Sequence, residues 1–221
     1  MDLKLENKII VVSEGTKAFN EGIVKVLANE GAIPVLIKKS ESNNLKMANA
    51  IESVGEGCFQ FSADLTKPDE CEITIQQVEK KFGSIDGLIN STCISNAGDF
   101  KTSNYQTFVE SLKENVISYY LITHYALPVL KKSKGAIVNI ISNYPAATCG
   151  ESALTREWAV ELLKYNIRVN AVVLQNSKSL TEQISNTVAF LLSEKSSHTT
   201  GQLIHVDSGY SNLNQHSQTL S

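Results

Sequence analysis

The sequence lacks long runs of one charge, and this excludes a large class of partners. Its 221 residues contain 20 Lys and Arg against 23 Asp and Glu, a formal net charge of -3 at pH 7. No run of Lys or Arg is long enough to neutralise a row of phosphates. We therefore expect no nucleic-acid partner.

Cysteine pairs at metal-ligand spacing are also lacking. The four cysteines, Cys58, Cys71, Cys93 and Cys149, form no C-x-x-C pair, and no histidine stands at ligand spacing from them. We interpret them as buried thiols in a reducing compartment and expect no metal site.

Long apolar segments are absent as well. The first residues, MDLKLENKIIVV, contain no long apolar stretch followed by a small-residue cleavage site. No later segment approaches about 20 uninterrupted apolar residues. The sequence therefore predicts no membrane association and a cytoplasmic location.

The sequence does contain short apolar runs that alternate with helical patterns. Seven runs favour strands: Lys8–Val12, Ile33–Ile37, Cys58–Ser62, Leu88–Ile89, Ala136–Ile141, Val169–Leu174 and Gln202–Val206. Helical patterns at Glu21–Glu30, Leu45–Val54 and Pro68–Phe82 are each followed by a glycine. Repeated strand–helix units predict one α/β domain over residues 1–210, with a doubly wound parallel sheet and helices on both faces. We expect residues 211–221 to form a polar tail.

Residues 142–158, SNYPAATCGESALTREW, resemble the catalytic helix of the short-chain dehydrogenase/reductase family, which opens with Tyr-x-x-x-Lys. Tyr144 matches the tyrosine, and Thr148 stands at the lysine position. Asn115 and Ser142 match the asparagine and serine of the family's catalytic set. SSHTTGQLIHVDSGY near the end resembles the family's last strand. The resemblance implies a Rossmann-like, mainly parallel seven-stranded sheet, with Asn115, Ser142 and Tyr144 as candidate catalytic residues.

The spacing of these residues departs from the family pattern. Tyr144 follows Ser142 by two residues, whereas relatives insert a loop there. The alternative role for Ser142 is an N-cap, with Pro145 in the first turn of the helix. Leu174-Gln175 occupies the family's Pro-Gly position, and the segment that closes over substrate is missing. Without the lysine, a tyrosine with a pKa of about 10 stays protonated at pH 7, which leaves proton donation but not base catalysis.

The cofactor turn differs from the family pattern T-G-x-x-x-G-x-G. In the matching stretch Ser13–Asn20, the three glycine positions hold Glu14, Ala18 and Asn20. The alternative reading of this stretch is a helix-capping turn that binds no ligand. The resemblance implies NADP or NAD as cofactor, and the changed turn predicts weak or absent binding.

By the same resemblance, five residues are candidates for holding the cofactor: Ser13, Lys38, Asp64, Leu65 and Asn90. For three of these residues, the sequence also allows a purely structural role. Lys38, which favours NADP, also fits a solvated surface, and Asp64 also fits an Asx turn before the helix that starts at Pro68. Asn90 also fits a side chain that satisfies backbone groups at a strand end.

The leading function is a family member with lost or strongly reduced oxidoreductase activity and a scaffold, interaction or regulatory role. The alternative is an NADP-dependent oxidoreductase acting on a carbonyl or sugar alcohol, with Tyr144 as proton donor. Residues 104–125 and 145–165 carry more apolar side chains than one sheet face needs: Phe108, Leu112, Val116, Tyr119, Tyr120, Trp158, Leu162 and Leu163. We therefore expect a homodimer or homotetramer held through these two helices.

Overall fold

A computed structural model describes residues 2–13, 17–39, 58–91, 104–142, 145–174 and 181–209, with only the backbone of residues 17–20, 142 and 145–149. Tyr144, residues 14–16, the predicted helix at Leu45–Val54 and the predicted tail lie outside this description. The single-domain assignment to residues 1–210 therefore stays a prediction.

The centre of the fold is a seven-stranded sheet in which every pairing is parallel. Its order is β3-β2-β1-β4-β5-β6-β7. The strands are β1 Ile9–Val12, β2 Ile33–Lys38, β3 Phe59–Ser62, β4 Gly87–Ser91, β5 Ala136–Ser142, β6 Arg168–Leu174 and β7 Leu203–Val206. All seven predicted strands and the doubly wound topology are confirmed. The strand order reverses between β1 and β4, where folds of this type bind ligands.

Helices cover both faces of the sheet. They are α1 Lys17–Asn29, α2 Pro68–Phe82, α3 Tyr105–Leu112, α4 Ser118–Ser133, α5 Pro145–Glu161 and α6 Thr181–Leu192. Short 3-10 turns follow at Leu163–Tyr165 and Glu194–Ser196. Helix α2 has the predicted bounds because Pro68 suits the first turn and Gly83 ends the helix with a left-handed φ of 80°. No helix among the described residues is long and apolar enough to cross a bilayer.

Alternate strand residues feed two separate cores, as the pleat of a sheet requires. Val11, Val35 and Leu88 face one core, which α2, α4 and α5 cover. Val12, Leu36 and Ile89 face the other, which α1 and α6 cover. These strands are buried on both faces, which explains why they read as unbroken apolar runs.

A π-helical turn, Lys113–Ile117, connects α3 to α4. The residues at both junctions, Lys113 and Ser118, have right-handed helical backbones, so residues 105–133 form one continuous rod. Single π turns inside helices are rare and frequent at functional sites. This turn contains Asn115, one of the candidate catalytic residues.

Candidate active site

Ser13, the first residue after β1, lies at the switch point between β1 and β4 and is hydrogen-bonded to β4. Its hydroxyl oxygen accepts a hydrogen bond from the backbone N–H of Ser91 at 3.0 Å, and its own N–H donates to the carbonyl of Ile89 at 2.9 Å. The residue is buried. Ser13 therefore holds the ends of two strands together at the edge where a cofactor would lie.

Asn90 begins a buried polar network beneath this edge. Its side-chain amide donates to Thr123 Oγ1 at 3.0 Å and to Asn139 Oδ1 at 2.9 Å. Asn139 donates in turn to Thr155 Oγ1 at 2.8 Å, and Thr155 donates to the carbonyl of Glu151. The network ties β4 and β5 to α4 and α5. Asn90 thus bonds mainly to side chains of other elements, rather than to the backbone at its strand end as the alternative reading predicted.

Asp64 lies just beyond β3 and is engaged on both oxygens. Its Oδ1 accepts from the N–H of Thr66 at 3.1 Å and from the Thr66 hydroxyl at 2.7 Å, which is the predicted Asx turn. Its Oδ2 lies 2.9 Å from Lys39 Nζ. Burial acts to raise the pKa of Asp64, but the bonds from Thr66 and Lys39 outweigh it and hold the pKa at about 2. The carboxylate is thus charged and neutralised within the protein.

Leu65 and Lys38 flank this ion pair. Leu65 is buried in the core under α2, and its carbonyl accepts from Cys71 Sγ at 3.4 Å. Burial, followed by the charges of Asp64 and Glu70, raises the pKa of Cys71 to about 12, so this thiol is a structural group. Lys38 ends β2, and its carbonyl accepts from the N–H of Ala63 at 3.0 Å.

Asn115 lies in the π turn with its side chain buried. Its amide nitrogen donates to the carbonyl of Ser111 at 2.8 Å and to the Ser111 hydroxyl at 3.2 Å. Its Oδ1 is buried with no hydrogen-bond partner among the described residues. Helix α5 packs closely here, because a Cβ on Gly150 would lie 3.0 Å from Val116 Cγ2. Asn115 therefore keeps a buried acceptor without a partner among the described residues, in a turn whose next residue packs against α5.

Ser142 is the last residue of β5, in register with Leu174 of β6. Two residues separate it from Pro145, where α5 begins. Residues 143 and 144 lie outside the described residues, so the N-cap interpretation of Ser142 stays a prediction. Position 148, which replaces the family's lysine, lies in the first turns of α5.

Glu151 was missed by the sequence reasoning. It is fully buried on α5, next to Gly150 and one turn before Thr155. Residues 151 and 155 lie one turn apart and so share one face of α5, and the hydrogen bond from Asn139 to Thr155 shows that this face meets the sheet. The sequence carried no clear signal for it, because helical spacing does not show which face meets the sheet and a buried carboxylate is unusual.

The described residues offer little to a dinucleotide in this arrangement. Of the five candidates, Ser13, Leu65 and Asn90 are buried. Asp64 is neutralised by Lys39, and the backbone of Lys38 is bonded to β3. These positions provide neither an exposed hydroxyl nor a carboxylate free of a lysine partner. Asn90 Oδ1 is a buried acceptor with no hydrogen-bond partner in the described ranges. A dinucleotide that contacts the Asp64 carboxylate would have to displace Lys39 from it. The described residues contain no cluster of ligands suited to a metal ion.

The parallel sheet, its switch point and the position of Asn115 define a dinucleotide-binding type of α/β protein. A model of the short chain dehydrogenase family matches residues 8–187. The chain therefore belongs to the short chain dehydrogenase family, which is a family of oxidoreductases.

Individual relatives match over nearly the whole chain. The 3-oxoacyl-[acyl-carrier-protein] reductase FabG of Thermotoga maritima is 24% identical over 243 residues, covering 94% of this chain and 99% of the relative. The crystal structure of Cj0485 dehydrogenase superimposes with a TM-score of 0.85 at 28% identity, covering 95% and 96% of the two chains. An NADH-dependent reductase, A1-R', solved in complex with NAD, has the same fold, with a TM-score of 0.82 at 22% identity and coverage of 93% and 97%.

Proposed function

We propose that this chain is a short chain dehydrogenase family member with lost or strongly reduced oxidoreductase activity and with weak or no dinucleotide binding. Its role would then be that of a scaffold, interaction or regulatory protein in the cytoplasm. The observation that carries the proposal is the engagement of Ser13, Asp64 and Asn90 in bonds within the protein. The residues that resemble a cofactor site serve the fold instead.

The sequence of the cofactor turn supports the same conclusion. Glycines at this turn let the backbone approach a pyrophosphate, and here Glu14, Ala18 and Asn20 occupy their positions. A carboxylate about 4 Å from a phosphate charge repels it by roughly 4 kcal/mol at an effective dielectric constant of 20. That energy offsets about half of a micromolar affinity.

Gaps in the alignment with a relative support the loss of substrate-binding segments. The alignment with the Thermotoga maritima reductase runs over 243 residues, more than the 221 residues of this chain. The relative therefore contains segments that this chain lacks. This agrees with the short Ser142–Tyr144 spacing and with the start of α6 at Thr181, soon after β6 ends at Leu174.

One observation favours the alternative, an NADP-dependent oxidoreductase that acts on a carbonyl or sugar alcohol with Tyr144 as proton donor. The π turn keeps Asn115 buried, with its Oδ1 free of partners among the described residues. A buried acceptor of this kind usually bonds to an ordered water, which could join a proton relay.

Oxidation of NADPH and NADH by purified protein, with a panel of aldehydes, ketones and sugars, separates the two functions. We expect no turnover by the wild type. We also expect none by Thr148→Lys, because the turn and the Ser142–Tyr144 spacing remain changed. A FabG reductase serves as the positive control. Turnover by the wild type would establish the alternative, and turnover by Thr148→Lys alone would show that position 148 was the main defect.

We further propose a homodimer or homotetramer held through the rod of residues 105–133 and α5. Exposed apolar side chains on these elements support it: Tyr105, Phe108, Ile117, Tyr120 and Val160, with Leu163 just beyond α5. Three residues expected to contribute, Tyr119, Trp158 and Leu162, are instead buried in the core of the chain itself. Their predicted place in an interface is wrong, since the helical spacing did not show which face of each helix meets the sheet.

Substitution of the exposed residues tests this assembly. Val160 is 77% exposed and Leu163 is 62% exposed, whereas Trp158 is 7% exposed, so Val160→Asp with Leu163→Asp changes the surface and leaves the core intact. The matched control is Ile73→Asp, at a residue 54% exposed on α2. Light scattering should show an oligomer for the wild type and the control and a monomer for the double variant. A monomeric wild type at micromolar concentration would rule the assembly out.

A further inference from the structure

A cleft of about 450 Å³ opens at the amino-terminal edge of the sheet, on the opposite side from the candidate active site. It is bounded by the segment before β1, the starts of β4 and β5, and the connections that precede β6 and β7. Its volume falls within the range of small-molecule sites in proteins. No residue of the candidate active site lines it.

The lining of the cleft is positively charged, although the chain as a whole has a net charge of -3. Four basic side chains face two carboxylates there: Lys4, Lys8, Lys134 and Arg168 against Asp86 and Glu194. Lys8 pairs with Asp86 at 3.2 Å. Across the described ranges, neither Lys4 nor Lys134 has a carboxylate within ion-pair distance. Two ammonium groups are therefore available to a ligand.

Arg168 adds a fixed positive charge to the cleft wall. Its guanidinium donates to the carbonyls of Leu191 at 2.7 Å, Leu192 at 3.2 Å and Ser193 at 3.1 Å, and to Ser196 Oγ at 2.8 Å. These carbonyls belong to the C-terminal end of α6, where a cation is favoured. All four oxygens are uncharged, so no carboxylate cancels the charge of Arg168 through these bonds.

The two free lysines share an unusual backbone conformation. Lys4 has a φ of 55° and Lys134 a φ of 56°, both in the left-handed region. This region costs a residue with a Cβ about 1–2 kcal/mol, whereas glycine adopts it freely. Backbone strain of this kind clusters at functional sites. Glycine would adopt this conformation at lower cost, yet both positions, which line the same cleft, hold lysine.

We propose that this cleft binds a small organic anion, with its phosphate or carboxylate group held by the ammonium groups of Lys4 and Lys134. The apolar part of the ligand lies against Leu5 and Ile167, which line the same cleft. The site is separate from the candidate active site and does not depend on the function proposed for it.

Phenyl phosphate and benzoate are suitable probes, because each joins an anionic group to an apolar ring, and phenol is the neutral control. Calorimetry should detect binding of at least one of the anions, weaker at high salt because free charges are screened, and no binding of phenol. Lys4→Asn and Lys134→Gly should each weaken that binding about tenfold, through loss of one charge-assisted hydrogen bond.

Both replacements suit a left-handed backbone, so the variants should remain folded with melting temperatures no lower than that of the wild type by more than a few degrees. The matched control is Lys25→Ala, at an exposed lysine on α1 outside the cleft. It should bind the anions like the wild type. The proposal is overturned if neither anion binds, if the two cleft variants bind as tightly as the wild type, or if Lys25→Ala weakens binding equally.

Discussion

Replacing Asp64 with Asn tests whether this residue acts as a structural group. The substitution removes the charge that pairs with Lys39 Nζ at 2.9 Å but keeps an oxygen for the two bonds from Thr66. The volume of the side chain hardly changes. Any loss of stability therefore reports on the charge rather than on packing.

The size of the effect follows from the pKa. A value of about 2 against the ordinary 3.8 corresponds to about 2 kcal/mol in favour of the charged carboxylate. The Lys39 side chain is 60% exposed, so solvent screens the pair and we expect about 1 kcal/mol. Because folding lowers this pKa, the stabilisation is present above pH 4 and is lost as the pH falls towards 2.

Urea unfolding of the wild type and Asp64→Asn at several values between pH 7 and pH 2 measures this dependence. The wild type should be more stable by about 1 kcal/mol at pH 7 and by almost nothing near pH 2. Glu72→Gln, at an exposed carboxylate on α2, is the control and should show no such trend. A difference that stays constant with pH, or the absence of one at pH 7, would refute the structural role.

Two further substitutions test the packing around the site. Asn139→Leu removes the buried bonds to Asn90 and Thr155 and should lower the free energy of unfolding by about 2 kcal/mol in urea titrations, because a buried donor loses its acceptor. A loss below about 0.5 kcal/mol would show that the network is dispensable. Gly22→Ala should destabilise by about 1–3 kcal/mol, since its Cβ would lie 2.6 Å from Thr181 Cγ2 where α1 meets α6. An unchanged melting temperature of that variant would show that the contact between α1 and α6 accommodates the extra methyl group with no loss of stability.

The sequence predicted the sheet and α2 well because the signals were local. Pro68 and Gly83 each favour one backbone conformation, so they define the ends of α2 without help from tertiary contacts. The strands were recognisable because burial on both faces requires an apolar side chain at nearly every position. The family resemblance then supplied the topology, which the described pairings confirm.

The site was predicted less completely because its properties depend on partners distant in sequence. Asp64 resembled a cofactor contact, but its pairing with Lys39 depends on how β2 and β3 lie side by side. Nothing in SLKENVISYY distinguishes a π turn from an ordinary helix. Glu151 belongs to a residue type that is rarely buried, so only the structure showed that its face of α5 meets the sheet.

A binding titration tests the proposed loss of the cofactor site most directly. NADPH and NADH are added to the purified protein, and binding is followed by calorimetry and by the fluorescence of Trp158, the single tryptophan. We predict a dissociation constant weaker than about 1 mM for both, less than about 4.1 kcal/mol of binding free energy. A micromolar dissociation constant for either cofactor would contradict the account.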